Sequence, residues 1–344
     1  MFKNCHANSI STYFCRVNKK EAQYEMNKRG SVNEPFLFVI DFSMNNCHVL
    51  SPEEALSKNI LFDFENDKNF EATQASKEVK ICSKKPIDFS HYQQSFNYVQ
   101  EQISLGNSYL VNLTFPTPIT LDGTLSDLFF AAKSRYKILF DNQFISFSPE
   151  TFVKISNGEI STYPMKGTID ASLPNAREKI LSNIKEMAEH ATITDLLRND
   201  LSMVASQVEV SRYRYLEEIK TQENNILQVS SEIRGELPAD YKNHLGDIIF
   251  SMLPAGSISG APKSKTVEII TNAETYNRGF YTGIAGFFDG KNLNSCVLIR
   301  FIENHNGKLQ YKSGGGITSQ SIAEEEYNEL ISKIYVPANR SNKD

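Results

Sequence analysis

The segment Tyr163-Pro164-Met165-Lys166-Gly167-Thr168 places a single amine beside a glycine, close behind a tight turn. An unprotonated lysine amine is a nucleophile, so Lys166 is the first candidate for chemistry. A lysine at a strand end is more often a solvated charge, and Lys166 alone does not decide the matter. Carboxylates form a second set. Glu186 and Glu189 fall in one helical stretch, beside an apolar stripe formed by Ile180, Ile184, Met187 and Ala191; Glu326 and Glu329 share one side of another. Hard divalent cations take such oxygens and keep several waters, so two or three carboxylates from separate helices suffice; a solvated acidic face is the plainer reading of Glu324-Glu325-Glu326. Gly314-Gly315-Gly316 brings exposed amides to the start of the second helix, and Arg300, inside the apolar run CVLIRFI, needs a structural or a bound carboxylate. The turn LPAGSISGAPKSK resembles a phosphate loop only superficially, because Ala261-Pro262 separates Gly260 from Lys263, and nucleotide binding is rejected.

These residues must be positioned by regular elements. FVKIS, Asn157-Gly158 and EISTYP read as a type I′ hairpin whose second strand ends near Lys166. A helix over 89–105 carries Tyr92, Phe96, Val99 and Ile103 at helical spacing and stops at Gly106. Strands follow at 109–115 and 144–147, then one long helical stretch over 175–201. Asp289-Gly290 and Asn306-Gly307 turns link IAGFF, CVLIRFI and LQYKSG into a meander, and Ser321 with Glu324 forms a capping box for the last helix, whose buried face is Tyr327, Leu330, Ile331 and Ile334. Antiparallel strands interrupted by helices that are not βαβ crossovers indicate an α+β fold. The reading is one large domain: a small elaboration over 1–85, a core over 86–336 and a tail over 337–344.

Composition limits the partners. With 344 residues and 40% hydrophobic content the chain buries a large core. A net charge of −5 with both signs interspersed makes nucleic acid and anionic membrane poor partners. Five scattered cysteines, with no CxxC pair, read as reduced thiols of a cytosolic protein. No signal core or membrane span is visible.

In order, SYLVNLTF, SPETF, YPMKGTI, AEHATITDLLRND, LPAGSISGAPKSKTVEII, RGFYTGIAGFF, IRFI and SGGGITSQSIAEEEYNEL resemble the chorismate-utilising enzymes, the family of anthranilate, aminodeoxychorismate, isochorismate and salicylate synthases. The resemblance covers roughly 86–336. It implies two large antiparallel sheets packed together with helices outside, and a site for chorismate and magnesium. Anthranilate-forming members resemble PIAGT where aminodeoxychorismate-forming members resemble PIKGT, and this chain has Lys166 there. The resemblance therefore implies that Lys166 attacks C2 of chorismate while the C4 hydroxyl departs, Glu150 of SPETF acting as acid and base. It implies magnesium ligands Glu189 and Glu329, with Glu326 direct or through water. It places Arg300, Tyr281 and the amides of Gly315 and Gly316 on the enolpyruvyl carboxylate, with Gly167, Thr168 and Ser257 along the ring. Gln228 stands where anthranilate synthases carry histidine, which fits the aminodeoxychorismate branch.

Leu110 replaces the lysine base of isochorismate-forming members, making that route unexpected. Met203 replaces a usual arginine, with no evident reason. The missing LLES pattern makes feedback by tryptophan unexpected. The expected activity is formation of 4-amino-4-deoxychorismate for p-aminobenzoate and folate, with ammonia from a separate glutamine amidotransferase subunit. The alternatives are anthranilate formation, or a silent chorismate-binding subunit.

Overall fold

The structure, a computed structural model, describes residues 17–65, 67–71, 78–220 and 225–337. Cys5, Cys15 and the tail from 338 onward lie outside the described residues. Among the described residues, the strands form two nine-stranded antiparallel sheets. The first runs Met165–Asp170, Asn225–Glu236, Glu159–Thr162, Thr151–Ser156, Leu293–Val297, Ile284–Phe288, Phe36–Ile40, Cys47–Leu50, with Ser206–Lys220 also paired to Asn225–Glu236. The second runs Gly260–Ala261, Leu110–Leu121, Lys308–Ile317, Phe301–His305, Phe144–Ser148, Tyr136–Phe140, Ile60–Phe64, Asp67–Lys68, with Ile81–Lys84 paired to Leu110–Leu121.

Strand alternation decides what each face covers. In FLFVI, Leu37 and Val39 join Phe62, Ile138 and Phe140 of the second sheet in one core, while Phe36, Phe38 and Ile40 join helical residues Ala22, Met26, Ile193 and Leu197 in another. The sheets are therefore packed face to face with helices outside, as the family resemblance implies. The Phe89–Ser104 helix buries Tyr92, Phe96, Val99 and Ile103 as its periodicity predicts, against Val111, Leu113 and Phe115. Asn157-Gly158 and Asn306-Gly307 take the positive φ of tight hairpins, at 53° and 81° and at 53° and 83°. The turn at Asp289-Gly290 is longer: the Asp289 amide donates to the Asn292 carbonyl, and its carboxylate accepts from the Lys291 and Asn292 amides.

Five expectations are corrected. CVLIRFI is two strands, ending at Val297 in the first sheet and restarting at Phe301 in the second, because an apolar run cannot reveal a change of sheet at a corner. The stretch over 175–201 is two helices, Ala176–Ser182 and Ile184–Ser202, broken where Asn183 turns extended and caps the second by accepting from the Glu186 amide. Its inward face is His190, Ile193, Thr194, Leu197 and Leu201, while Ile184 is 80% exposed and Met187 and Ala191 are also exposed. Ser321 does not cap the last helix: Ile322 holds that position, and the Ser321 hydroxyl donates to Glu326 at 2.7 Å. The glycine run lies within the Lys308–Ile317 strand, opposite Thr114, Leu113 and Asn112, so its amides are not a helix terminus.

Candidate functional site

Lys166 does not end the hairpin strand. That strand stops at Thr162; Pro164 has no amide to donate, and its carbonyl accepts from the Ser231 amide at 2.9 Å. Met165–Asp170 then pairs with Asn225–Glu236 through an irregular register between Met165 and Thr168, around Gly167 at φ 79°. This bulge re-aims Lys166 inward. Its Nζ lies 3.8 Å from where a Cβ on Gly316 would stand, so the glycine leaves space above the amine.

A cavity of about 110 Å³ surrounds that amine, lined by Lys166, Glu150, Ser257, Tyr281, Arg300, Gly315 and Gly316 among others. Glu150 follows Pro149 between two strands and accepts a very short hydrogen bond from the Ser257 hydroxyl. Burial pushes its carboxyl above the usual range, against the opposing effects of Ser257, Lys166, Arg300 and Lys333. Arg300 sits on the corner between the sheets at φ 51°, its Nε donating to the Tyr335 hydroxyl at 3.1 Å. The glycine strand reaches the site because Phe301–His305 pairs only with 308–312, leaving 313–317 bordered by a strand on one side. A Cβ on Gly315 would stand 3.3 Å from Glu326 Oε2, 3.6 Å from Glu329 Oε1 and 3.8 Å from Lys333 Nζ.

The remaining predicted residues sit farther out. Thr168 is exposed and lies opposite buried Gln228 in the sheet register; neither lines the cavity. Gly167 packs beside the Glu186 carboxylate, and Glu189 is half-buried on the same helix. Among the described residues no three His, Cys, Asp or Glu side chains are grouped closely enough to hold a metal. Glu326 and Glu329 do converge at Gly315, and two hard oxygen ligands suit a cation that keeps most of its water.

Sequence reasoning missed Lys333, Asn112 and Ser313. Lys333 pairs with Glu329 at 2.5 Å and donates to the Gly314 carbonyl at 2.8 Å; burial lowers its pKa despite Glu329. It follows Glu329 by one helical turn, a spacing that was available as a signal. Asn112 Oδ1 and Ser313 Oγ line the cavity, buried and without a hydrogen-bond partner, as expected of groups that await a polar ligand. Lys263 of the glycine-rich turn is a structural cation: it pairs with buried Asp200 at 2.7 Å. Leu110 is buried and packs over Gly316.

An uncharacterized PabA-like protein of Haemophilus influenzae is 48% identical over 313 residues, 91% of this chain and 95% of that one. Aminodeoxychorismate synthase component 1 of Escherichia coli is 33% identical over 260 residues, 71% of this chain but 56% of the relative. Anthranilate synthase component I of Streptococcus pneumoniae superposes with a TM-score of 0.63 at 26% identity, covering 74% of this chain and 59% of that one. The menaquinone-specific isochorismate synthase of Escherichia coli, at 15% identity, shares the fold alone, with a TM-score of 0.70 over 94% of this chain and 82% of that one. The family model for chorismate binding enzymes matches residues 12–339, and to that family the chain belongs.

Proposed function

We propose that this protein converts chorismate and ammonia to 4-amino-4-deoxychorismate and water. The observation that carries the reading is the joint presence of Lys166 and Glu150 in one cavity with three further cations, Arg300, Lys312 and Lys333. A dicarboxylate needs those cations; a ring substitution needs the nucleophile and the acid.

Neutral Lys166 Nζ forms a bond to C2, the ring double bond shifts, and the C4–O bond breaks. Glu150, kept protonated by burial, gives its proton to the departing hydroxyl, which leaves as water. Ammonia then forms the C4–N bond, the double bond returns, and the C2–N bond breaks with its electron pair going back to Lys166. The proton lost by the new C4 ammonium restores Glu150. Glu189, Glu326 and Glu329 would hold magnesium, which when bound neutralises a substrate carboxylate. Arg300, Tyr281 and the Gly315 and Gly316 amides serve the enolpyruvyl carboxylate, with Ser257 fixing the Glu150 carboxyl. Ammonia would come from a separate glutamine amidotransferase.

The test is incubation with chorismate, magnesium and ammonium, with the product identified by mass. Aminodeoxychorismate formation is expected, and Lys166→Ala should lose about 100-fold or more of it. Anthranilate as the wild-type product, or full turnover by the variant, would sink the proposal.

A further inference from the structure

Several of the polar side chains around Lys166 already have partners inside the protein. Lys312 pairs with Glu303 at 2.9 Å and donates to the Arg278 carbonyl, Lys333 pairs with Glu329, and the Ser257 hydroxyl donates to Glu150. Asn112 Oδ1 and Ser313 Oγ differ: both are buried on the same cavity without a hydrogen-bond partner among the described residues. A buried polar atom left unpaired is costly, and a fold keeps one where a ligand completes it. Position decides what Asn112 can reach. In the sheet register it lies opposite Gly316, on the same face, and a Cβ on Gly316 would stand 3.8 Å from Lys166 Nζ. The Arg278 guanidinium donates to the Asn112 carbonyl at 2.6 Å and to the Ile258 carbonyl at 3.1 Å. Ile258 follows Ser257, which holds the Glu150 carboxyl. One buried cation therefore fixes Asn112 beside the segment that holds Glu150, in the part of the cavity where the proposed reaction breaks the C4–O bond.

We infer that Asn112 is the specificity residue for the C4 substituent: its side-chain carbonyl accepts a hydrogen bond from the C4 hydroxyl of chorismate. The inference rests on the substrate reading above and adds a contact that the reading does not contain. At neutral pH chorismate carries two carboxylates and an enol ether, all acceptors, and one hydroxyl. That hydroxyl is the ligand's single donor, so an unpaired amide oxygen facing the cavity has one complementary group. With its O–H turned to Asn112, the C4 oxygen presents a lone pair to the Glu150 carboxyl, from which its proton must come. No proton passes to Asn112. The C4 amine of the product is again a donor, and the same oxygen holds it. Ser313 Oγ, which can donate, suits a carboxylate instead.

Equilibrium binding with magnesium and without ammonium tests the contact, in a Lys166→Ala background so that neither ligand reacts. The probe is 4-deoxychorismate, which lacks only the donor. With Asn112 in place, chorismate should bind about tenfold or more tighter than the analogue, which leaves Oδ1 unpaired. Asn112→Leu, of similar size and without the acceptor, should bring the two affinities within about threefold of each other. Asn112→Ala, which adds no bulk, should give the same ratio. Ser313→Ala should weaken both ligands alike, since both keep their carboxylates. With Lys166 restored, Asn112→Leu should lower kcat/KM for chorismate about 10- to 100-fold. A preference for chorismate that survives in either Asn112 variant, or one that Ser313→Ala abolishes, would overturn the contact. Failure of chorismate to bind with Asn112 in place would instead overturn the substrate reading, and the contact with it.

Discussion

At Glu150 burial and charge act in opposite directions on one carboxyl. Burial outweighs the Ser257 hydroxyl and the charges of Lys166, Arg300 and Lys333, so the folded protein holds this proton more tightly than the unfolded chain does. The sign follows from linkage. A carboxyl raised in the folded state contributes stability that is fully present below its ordinary pKa and is lost as pH rises through the folded value. Glu150→Gln keeps the shape and cannot ionise. Relative to wild type, its Tm should therefore increase as pH is raised from 5 to 8, while turnover falls about 100-fold because the amide cannot donate the proton. Paired thermal scans and rates across pH check this. A variant that becomes relatively less stable at pH 8 would show that the three cations, and not burial, control the group.

At the scale of elements, the site depends on chain segments that change direction: the bulge at Gly167, the sheet switch before Phe301, and the glycine strand that outruns its neighbour. A cluster around Arg278 ties the Leu110–Leu121 strand, which borders the glycine strand, to the segment carrying Ile258. Its guanidinium pairs with Glu274 at 2.6 Å, both side chains almost fully buried, and donates to the Asn112 and Ile258 carbonyls. Arg278→Leu leaves Glu274 buried without its counter-charge and should cost about 3–5 kcal/mol in urea unfolding. A loss below about 1 kcal/mol would mean that Glu274 escapes the charge by taking up a proton. The two helices that supply carboxylates give a second prediction. Glu189→Gln and Glu329→Gln should each raise the magnesium concentration needed for half-maximal rate, with unfolding midpoints nearly unchanged. Wild-type rates from both variants at limiting magnesium would remove the metal from these positions. The elements differ in what could be read in advance. The Phe89–Ser104 helix was legible because its buried residues repeat at helical spacing, and Asn157-Gly158 because two adjacent residues had to take positive φ. CVLIRFI was not, since residues apolar on both faces look alike within one strand and across a corner. The Ile184–Ser202 helix misled because its exposed first turns carry Ile184 and Met187, whereas polar His190 and Thr194 lie buried. Lys166, Glu150 and Arg300 could be named, but their meeting depends on contacts between sheets that no local pattern encodes.

The whole molecule is a pair of sheets with its reactive groups where the sheets meet. Lys166 comes from the first sheet, Gly315 and Gly316 from the second, and Glu150 and Arg300 from two corners where the chain passes between them. Such an arrangement can shield the proposed ring substitution from water, and that reaction also needs a source of ammonia. Opening the amide of glutamine through a thiol would require an accessible cysteine with thiolate character. Among the described residues, Cys47 and Cys296 are buried; burial pushes the Cys47 thiol to about 12 and raises Cys296 further, so neither is such a nucleophile. Cys82 is exposed on the edge strand Ile81–Lys84, where its thiol donates to the Lys80 carbonyl at 3.9 Å. No helix among the described residues is long and apolar enough to cross a membrane. The purified chain with chorismate and magnesium should therefore turn over with ammonium and give less than about 1% of that rate with glutamine alone. Adding a glutamine amidotransferase should restore the glutamine-dependent rate. Measuring both rates in ammonia-free buffer decides the point: glutamine-dependent product from the purified chain alone would mean that it carries its own amidase.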